Sequence, residues 1–221
     1  MKNEDMWALV NLVNASKKLV EDGFIKGTGG NVSVRRGNIM YISGSGRSLD
    51  DLDTDELVQV DIKSGKILTN KLRPSSEYLM HLKCYQQRPE ISCVIHTHPP
   101  MVQSLCSGTT ELKPMFADYY VFLGSNVPHL PYITVTSSEL ADAVEKEITD
   151  ESCQGIVLRQ HGIITVGETV TEAIYRSLAM EEQAEIQYNA TLINDVNFLS
   201  DEELLKLDEL ASEKYRRQLL K

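Results

Sequence analysis

Two histidines two residues apart, His96 and His98, close the apolar run Ile91 to Ile95 and are followed at once by Pro99 and Pro100. Side chains alternate faces along a strand, so both imidazoles point to one side. The prolines cannot continue a sheet ladder, which places the pair at a strand's C-terminal end. Such a pair can reach one ion, but zinc takes three or four ligands. Glu77 is one candidate for the rest; its plainer reading is a first-turn carboxylate favoured by the helix dipole. His161 is another, lying between two strands beside Gly162, where a missing side chain allows close backbone approach. Its plainer reading is a packed, hydrogen-bonded histidine. His81 lies four residues after Glu77 on the same helix face and reads as structural. His129, in a proline-flanked turn, reads as solvent-facing. Three histidines and one glutamate would make a tetrahedral zinc site.

A second chemistry comes from small residues. Gly27 to Asn31, Ser43 to Gly46 and Ser75-Ser76 are glycine-and-hydroxyl loops near predicted helices. Glycines let backbone N–H groups crowd an anion, and hydroxyls and a helix N-terminus add donors. One such loop is an ordinary turn. Three in a chain this size point to a phosphate held without much positive charge.

The elements that must position these residues follow from periodicity. Trp7, Val10, Leu12, Val13, Leu19 and Val20 suit an amphipathic helix over residues 5–22, stopped by Gly23. Val32 to Arg35 and Ile39 to Ile42 read as a hairpin turned at Arg36-Gly37-Asn38. Leu57 to Ile62 is a further strand, turned into Ile67-Leu68. Ser75 and Ser76 supply an N-cap for a helix to about Gln87. The histidine strand is followed by a helix to about Cys106. Residues 115–135 read as short strand and turn pieces, among them Tyr119 to Phe122. Thr136 to Glu139 resembles a capping box for a helix to about Ile148. Strands at Gly155 to Leu158 and Ile163 to Val166 flank Gln160-His161-Gly162. One long helix runs from Thr169 to about Ile193, and Ser200 to Glu203 caps a last charged helix. Hairpins come first and helices are interleaved without steady βαβ alternation. That order predicts a mostly antiparallel sheet with helices packed around it, and a single domain over residues 1–221.

Composition narrows the partners. The chain has 221 residues, with 32 acidic against 22 basic side chains and a formal net charge of −10. An acidic chain repels a phosphate backbone, so nucleic acid is excluded as a general partner. No window is long and apolar enough to span a bilayer, and Met1 to Asp5 has no signal-peptide pattern. Cys84, Cys93, Cys106 and Cys153 are scattered, three of them in or beside apolar runs. They read as reduced, mostly buried thiols of a cytoplasmic protein.

Four motifs occur in order: Gly27-Thr28-Gly29-Gly30-Asn31-Val32-Ser33-Val34-Arg35, Pro74-Ser75-Ser76-Glu77, Val94-Ile95-His96-Thr97-His98, and Gln160-His161-Gly162. Together, from about residue 7 to 193, they resemble the class II aldolase/adducin family. Within it the chain is most similar to the L-fuculose-1-phosphate aldolase branch, which is related to the L-ribulose-5-phosphate 4-epimerases. The resemblance implies a three-layer α/β/α fold around a mostly antiparallel sheet. It implies a homotetramer with active sites between neighbouring subunits, and a lyase of carbohydrate metabolism. Glu77, His96, His98 and His161 match the metal ligands, for one Zn2+ per subunit or another divalent metal. Thr28, Gly29, Asn31, Ser45, Gly46, Ser75 and Ser76 match the positions that hold substrate phosphate. The implied reaction is reversible cleavage of a ketose 1-phosphate to dihydroxyacetone phosphate and an aldehyde through a metal-stabilised enediolate, with Glu77 as proton shuttle.

The acid/base on the aldehyde side stays open at this level. Aldolases of the family use a tyrosine of a neighbouring subunit, and Phe116-Ala117-Asp118-Tyr119-Tyr120 is the corresponding stretch. Tyr119 or Tyr120 would serve an aldolase. Asp118 would serve a 4-epimerase, whose Ala-Asp-Tyr run falls at the same place. Tyr215 is the counterpart of a C-terminal tyrosine used in both branches. A sugar-acid phosphate decarboxylase is a third enzyme of the same family, and a non-catalytic adducin-like module the reading that the four intact ligand positions favour least.

Overall fold

A computed structural model describes residues 3–69, 72–193 and 195–219. What the sequence suggests about Met1 and Lys2 lies outside these residues. The described residues form seven strands and eight α-helices: α1 (Asn3–Glu21), β1 (Asn31–Arg36), β2 (Ile39–Ile42), β3 (Val58–Asp61), α2 (Tyr78–Gln87), β4 (Cys93–Thr97), α3 (Pro100–Cys106), α4 (Ala117–Leu123), β5 (His129–Leu130), α5 (Ser138–Ile148), β6 (Gly155–Leu158), β7 (Gly162–Gly167), α6 (Val170–Ile193), α7 (Asp201–Glu209) and α8 (Ala211–Leu219). The strands make one sheet in the order β3-β2-β1-β4-β7-β6-β5. Every pairing is antiparallel except β5 with β6.

Period-two alternation divides the sheet's side chains into two cores, which makes the fold a three-layer α/β/α. Met40, Ile42, Val58, Val60, Val94, Ile156, Leu158, Ile164 and Val166 meet Met80, Tyr85, Leu140, Val144 and Ile148 of α2 and α5. On the opposite face Val32, Val34, Cys93 and Ile95 meet Leu9, Leu12, Val13 and Leu19 of α1 and Ala173 and Ile174 of α6. Val157 and Ile163 meet α3, α4 and the middle of α6 on that same face. All four cysteines are free and buried. No helix among the described residues is long and apolar enough to cross a membrane.

Five local expectations are corrected. Trp7 and Val10 do not join the core: Trp7 is 69% exposed, because Leu9, Leu12, Val13 and Leu19 define the buried stripe of α1. Tyr119 to Phe122 is not a strand but the body of helix α4, closed by Gly124 at φ +70°. Ser75 and Ser76 do not cap α2; Glu77 takes that position and turns its carboxylate elsewhere. The cap of α5 is Ser137, which accepts the Leu140 N–H, while Thr136 sits at φ +65°. The charged C-terminal stretch is two helices, broken at Leu210.

Candidate metal centre and anion pocket

Three segments far apart in sequence meet at one end of the sheet. Antiparallel pairing sets Asn31 of β1 opposite His96 of β4, and Thr97 opposite Ile163 of β7. The end of β4 therefore lies against the β6–β7 turn that carries His161. The turn is tight: Gln160 is at φ +59°. A Cβ on Gly162 would come within 2.3 Å of the Thr97 carbonyl oxygen, so only glycine lets the turn close against the histidine strand.

His96, His98 and His161 offer ligand atoms that all lie within 4.8 Å of one another. Glu77 completes the group, its Oε2 3.2 Å from His96 Nε2 and its Oε1 3.1 Å from His161 Nε2. His96 is fully buried, and its Nδ1 lies 2.8 Å from the Ile163 carbonyl oxygen. A carbonyl only accepts, so Nδ1 carries the proton and Nε2 is a bare lone pair. That lone pair faces the Glu77 carboxylate and His98 Nε2 at 3.0 Å. Converging lone pairs and a carboxylate are a donor set for a small dication, and three imidazoles with one carboxylate fit a divalent metal of zinc's kind. Burial alone would raise the Glu77 carboxyl; the polar surroundings supplied by His161 and His96 outweigh it and hold the group well below the usual carboxylate range. Burial, then the neighbouring His96 and His161, press His98 down to about 4, so its imidazole is neutral and free to ligate.

Above this cluster lies a cavity of about 260 Å³ lined by Thr28, Gly29, Gly30, Asn31, Gly44, Ser45, Gly46, Ser75, Ser76, Glu77, Val135, His98 and His161. All three small-residue loops reach it. Asn31 lines it with its amide committed: Nδ2 donates to Glu77 Oε2 at 3.1 Å, and Oδ1 lies 2.6 Å from His81 Nε2. Ser75 Oγ accepts the Glu77 N–H at 3.3 Å. His81 is structural as read, with no exposure. His129 is not solvent-facing: it is half-buried, and its Nε2 accepts the Leu112 N–H.

Helix α3 ties the His98 and His161 segments together, and no motif announced its residues. It starts two residues after His98. Glu181 of α6 accepts the N–H groups of Met101 and Val102, both at 2.9 Å. Gln103 donates to the His161 carbonyl at 2.6 Å. Arg159 gathers the carbonyls of Cys106 at the helix's end and of Gly108, Thr109 and Thr110 beyond it.

The acid/base candidates lie elsewhere in the chain. None of Asp118, Tyr119, Tyr120 and Tyr215 lines the cavity above the histidines. Asp118 is ion-paired with Arg216 at 2.5 Å. Tyr119 is fully buried with its hydroxyl unpartnered. Tyr120 donates to Asp208 at 2.6 Å and borders a larger cavity, about 400 Å³, that opens near Ile91 and Gly167 at the far end of β4 and β7. The guanidiniums of Arg88, Arg176 and Arg217 in that cavity are already bonded to carbonyls or carboxylates. Tyr215 is 61% exposed on α8.

A model of the class II aldolase and adducin N-terminal domain matches residues 10–188. An L-fuculose phosphate aldolase of Methanococcus maripaludis is 33% identical over 180 residues, 81% of this chain and 96% of the relative. A 5-deoxy-D-ribulose 1-phosphate aldolase of Bacillus thuringiensis serovar kurstaki is 31% identical over 198 residues, covering 89% and 91%. Among solved structures, an L-fuculose 1-phosphate aldolase superposes with a TM-score of 0.85 at 28% identity, covering 98% of both chains.

Proposed function

The chain belongs to the class II aldolase and adducin family and is an aldolase, a lyase, and from that premise we propose that it cleaves a ketose 1-phosphate reversibly to dihydroxyacetone phosphate and an aldehyde. The observation that carries this reading is the Glu77 carboxylate set between His96 and His161 on the floor of a hydroxyl- and glycine-lined cavity. A phosphorylated sugar is the substrate class that such a floor and such walls fit together. L-fuculose 1-phosphate and 5-deoxyribulose 1-phosphate, named in the relatives' activities, share this head group and differ in the aldehyde half.

Glu77, His96, His98 and His161 would hold one Zn2+. When bound, the ion supplies Lewis acidity toward the sugar's carbonyl and hydroxyl oxygens. Thr28, Gly29, Ser45, Gly46, Ser75 and Ser76 bind and orient the phosphate through hydroxyls and backbone N–H groups. Asn31, whose amide is committed to Glu77 and His81, supports that wall from behind. Carbon–carbon cleavage needs one proton taken from the hydroxyl of the departing aldehyde and one given to the carbon left behind. Glu77 Oε1, which faces His161 and has no hydrogen-bond partner, is placed for the second. For the first, Asp118, Tyr119, Tyr120 or Tyr215 of a neighbouring subunit is proposed, which makes the active form a homotetramer with sites at its interfaces. The same reading takes residues 1–221 as one cytoplasmic domain, consistent with the single sheet.

Proton NMR of zinc-loaded protein with L-fuculose 1-phosphate, 5-deoxyribulose 1-phosphate and L-ribulose 5-phosphate tests it. Dihydroxyacetone phosphate and an aldehyde are expected from at least one 1-phosphate. Conversion of L-ribulose 5-phosphate without fragments would replace the aldolase by a 4-epimerase. Silence on all three with metal bound would direct attention to decarboxylation of sugar-acid phosphates. His96→Ala should lose both metal and turnover, and Glu77→Gln should keep the fold and lose turnover. Full activity in either variant would remove that residue from its role.

A further inference from the structure

Strand period and helix period coincide beneath Glu77. On β1, Asn31 and Ser33 point to the same face, about 6.6 Å apart along the strand. On the helix above, Glu77, His81 and Tyr85 are spaced by four, about 6 Å per step. The two rows mesh into one buried line. Asn31 bonds Glu77 and His81; Ser33 bonds His81 Nδ1 at 2.7 Å and the Tyr85 hydroxyl at 2.8 Å. Asn31, Ser33, His81 and Tyr85 are all at least 97% buried (relative exposures 3%, 0%, 0% and 1%), so water does not compete for these bonds.

The line has only one consistent direction. A carboxylate accepts and never donates, so the Asn31 atom facing Glu77 is the NH2 group. The Asn31 oxygen then faces His81, and Nε2 of that ring must carry the proton. A neutral ring with Nε2–H has a bare Nδ1, which accepts a hydrogen bond from the Ser33 hydroxyl. Ser33 Oγ in turn accepts from the Tyr85 hydroxyl. Burial pushes His81 down to about 3, in keeping with a ring that stays neutral.

We propose that Ser33 and His81 are positioning residues: through Asn31 they fix the direction in which the Glu77 carboxylate faces His96 and His161. The inference rests on the reading of Glu77 as metal ligand and proton carrier. Without a donor at His81 the Asn31 amide is free to turn its oxygen toward Glu77, and the carboxylate loses its aim. A histidine kept only for packing would be replaced equally well by any side chain of similar volume.

Two variants separate these cases. His81→Leu fills the space and removes the donor; His81→Gln restores a donor to Asn31. Calorimetric titration with Zn2+ should show affinity lowered about 10- to 100-fold in His81→Leu and within about threefold of the parent in His81→Gln, the range typical of residues that orient metal ligands. In the same preparations kcat should fall in His81→Leu with KM for the phosphate-bearing substrate unchanged. Parent-like zinc affinity in His81→Leu, or an equal loss in both variants, would overturn the proposal. A second measurement needs neither metal nor variant. Long-range 15N–1H spectra of the metal-free protein with labelled histidine should show His81 as the Nε2–H tautomer at neutral pH. An Nδ1–H tautomer reverses the line and overturns it. A parent protein that bound no zinc would defeat the proposed function while leaving this spectrum to decide the direction of the line.

Discussion

At the scale of single residues, His129 shows how burial turns an ordinary side chain into a pH dependence. Its Nε2 accepts the Leu112 N–H, and burial, reinforced by the positive Arg159, brings its pKa down to about 4. Unfolded, it would titrate near 6.5. The unfolded chain therefore takes up a proton first as pH falls, and the native state loses stability from about pH 6.5 down to about 4. His98 and His81, lowered to about 4 and about 3, act in the same direction. Glutamine at 129 still offers an oxygen to Leu112 but does not titrate. Urea unfolding of metal-free His129→Gln should show a shallower decline of stability across that window than the parent; identical slopes would mean that the histidine titrates alike in both states. The residue scale is also where the sequence said most about the site. His96 and His98 were readable as a pair from their spacing at a strand's end, whereas Glu77 and His161 each had a plainer local reading and joined them only by resemblance. Asn31 was readable as a loop residue and, by resemblance, as a phosphate contact, not as a partner of Glu77. Its bond to Glu77 depends on a pairing across 46 positions, which no local pattern encodes.

Among the elements, α3 links the segments that carry His98 and His161. It is seven residues long, too short to be stable by itself. Glu181 satisfies its first N–H groups from another helix, at some cost, since burial raises the Glu181 carboxyl. Glu181→Ala should cost about 1–2 kcal/mol, as loss of a helix cap does, and Glu181→Gln less, because one oxygen remains to accept. Chemical denaturation checks both, and an alanine variant as stable as the parent would show that α3 is held by Gln103 and Arg159 alone. Strands were legible where side chains alternate between cores, as in β1, β2, β4 and β7. Helix α4 was not. Tyr119 to Phe122 is an aromatic, β-branched run that locally favours a strand, yet it is wound as a helix whose Tyr119 and Leu123 meet α6 in the third core cluster. Tertiary packing overrode propensity there. In α1 the periodicity was right and Leu12, Val13 and Leu19 are buried as read, but Trp7 and Val10 form a second apolar stripe that hydropathy alone does not rank below the first.

For the whole molecule, the sheet order explains why motifs scattered over some 130 positions act together. β1, β4 and β7 are adjacent, so loop 27–31, the end of β4 and the turn at His161 emerge side by side, with Glu77 over them. Asp118 and Tyr215 fall on α4 and α8, outside that cluster, which is why the sequence could assign their chemistry only by resemblance. One further feature makes the molecule report on itself. Burial raises all four thiols, Cys106 to about 11 and Cys153 to about 12, with Cys84 and Cys93 higher still. Iodoacetamide attacks thiolate, so each cysteine is an alkylation clock that advances only when its part of the core opens. Cys93 stands three residues before His96 on the same strand. Opening that frees Cys93 should scatter the histidines as well, and zinc at a hundred times its dissociation constant should slow Cys93 labelling about 100-fold. A rate indifferent to zinc would divide β4 into two units that breathe apart. A slowed one makes mass-spectrometric counting of carbamidomethyl groups a way to titrate the metal centre in crude mixtures, with no substrate in hand.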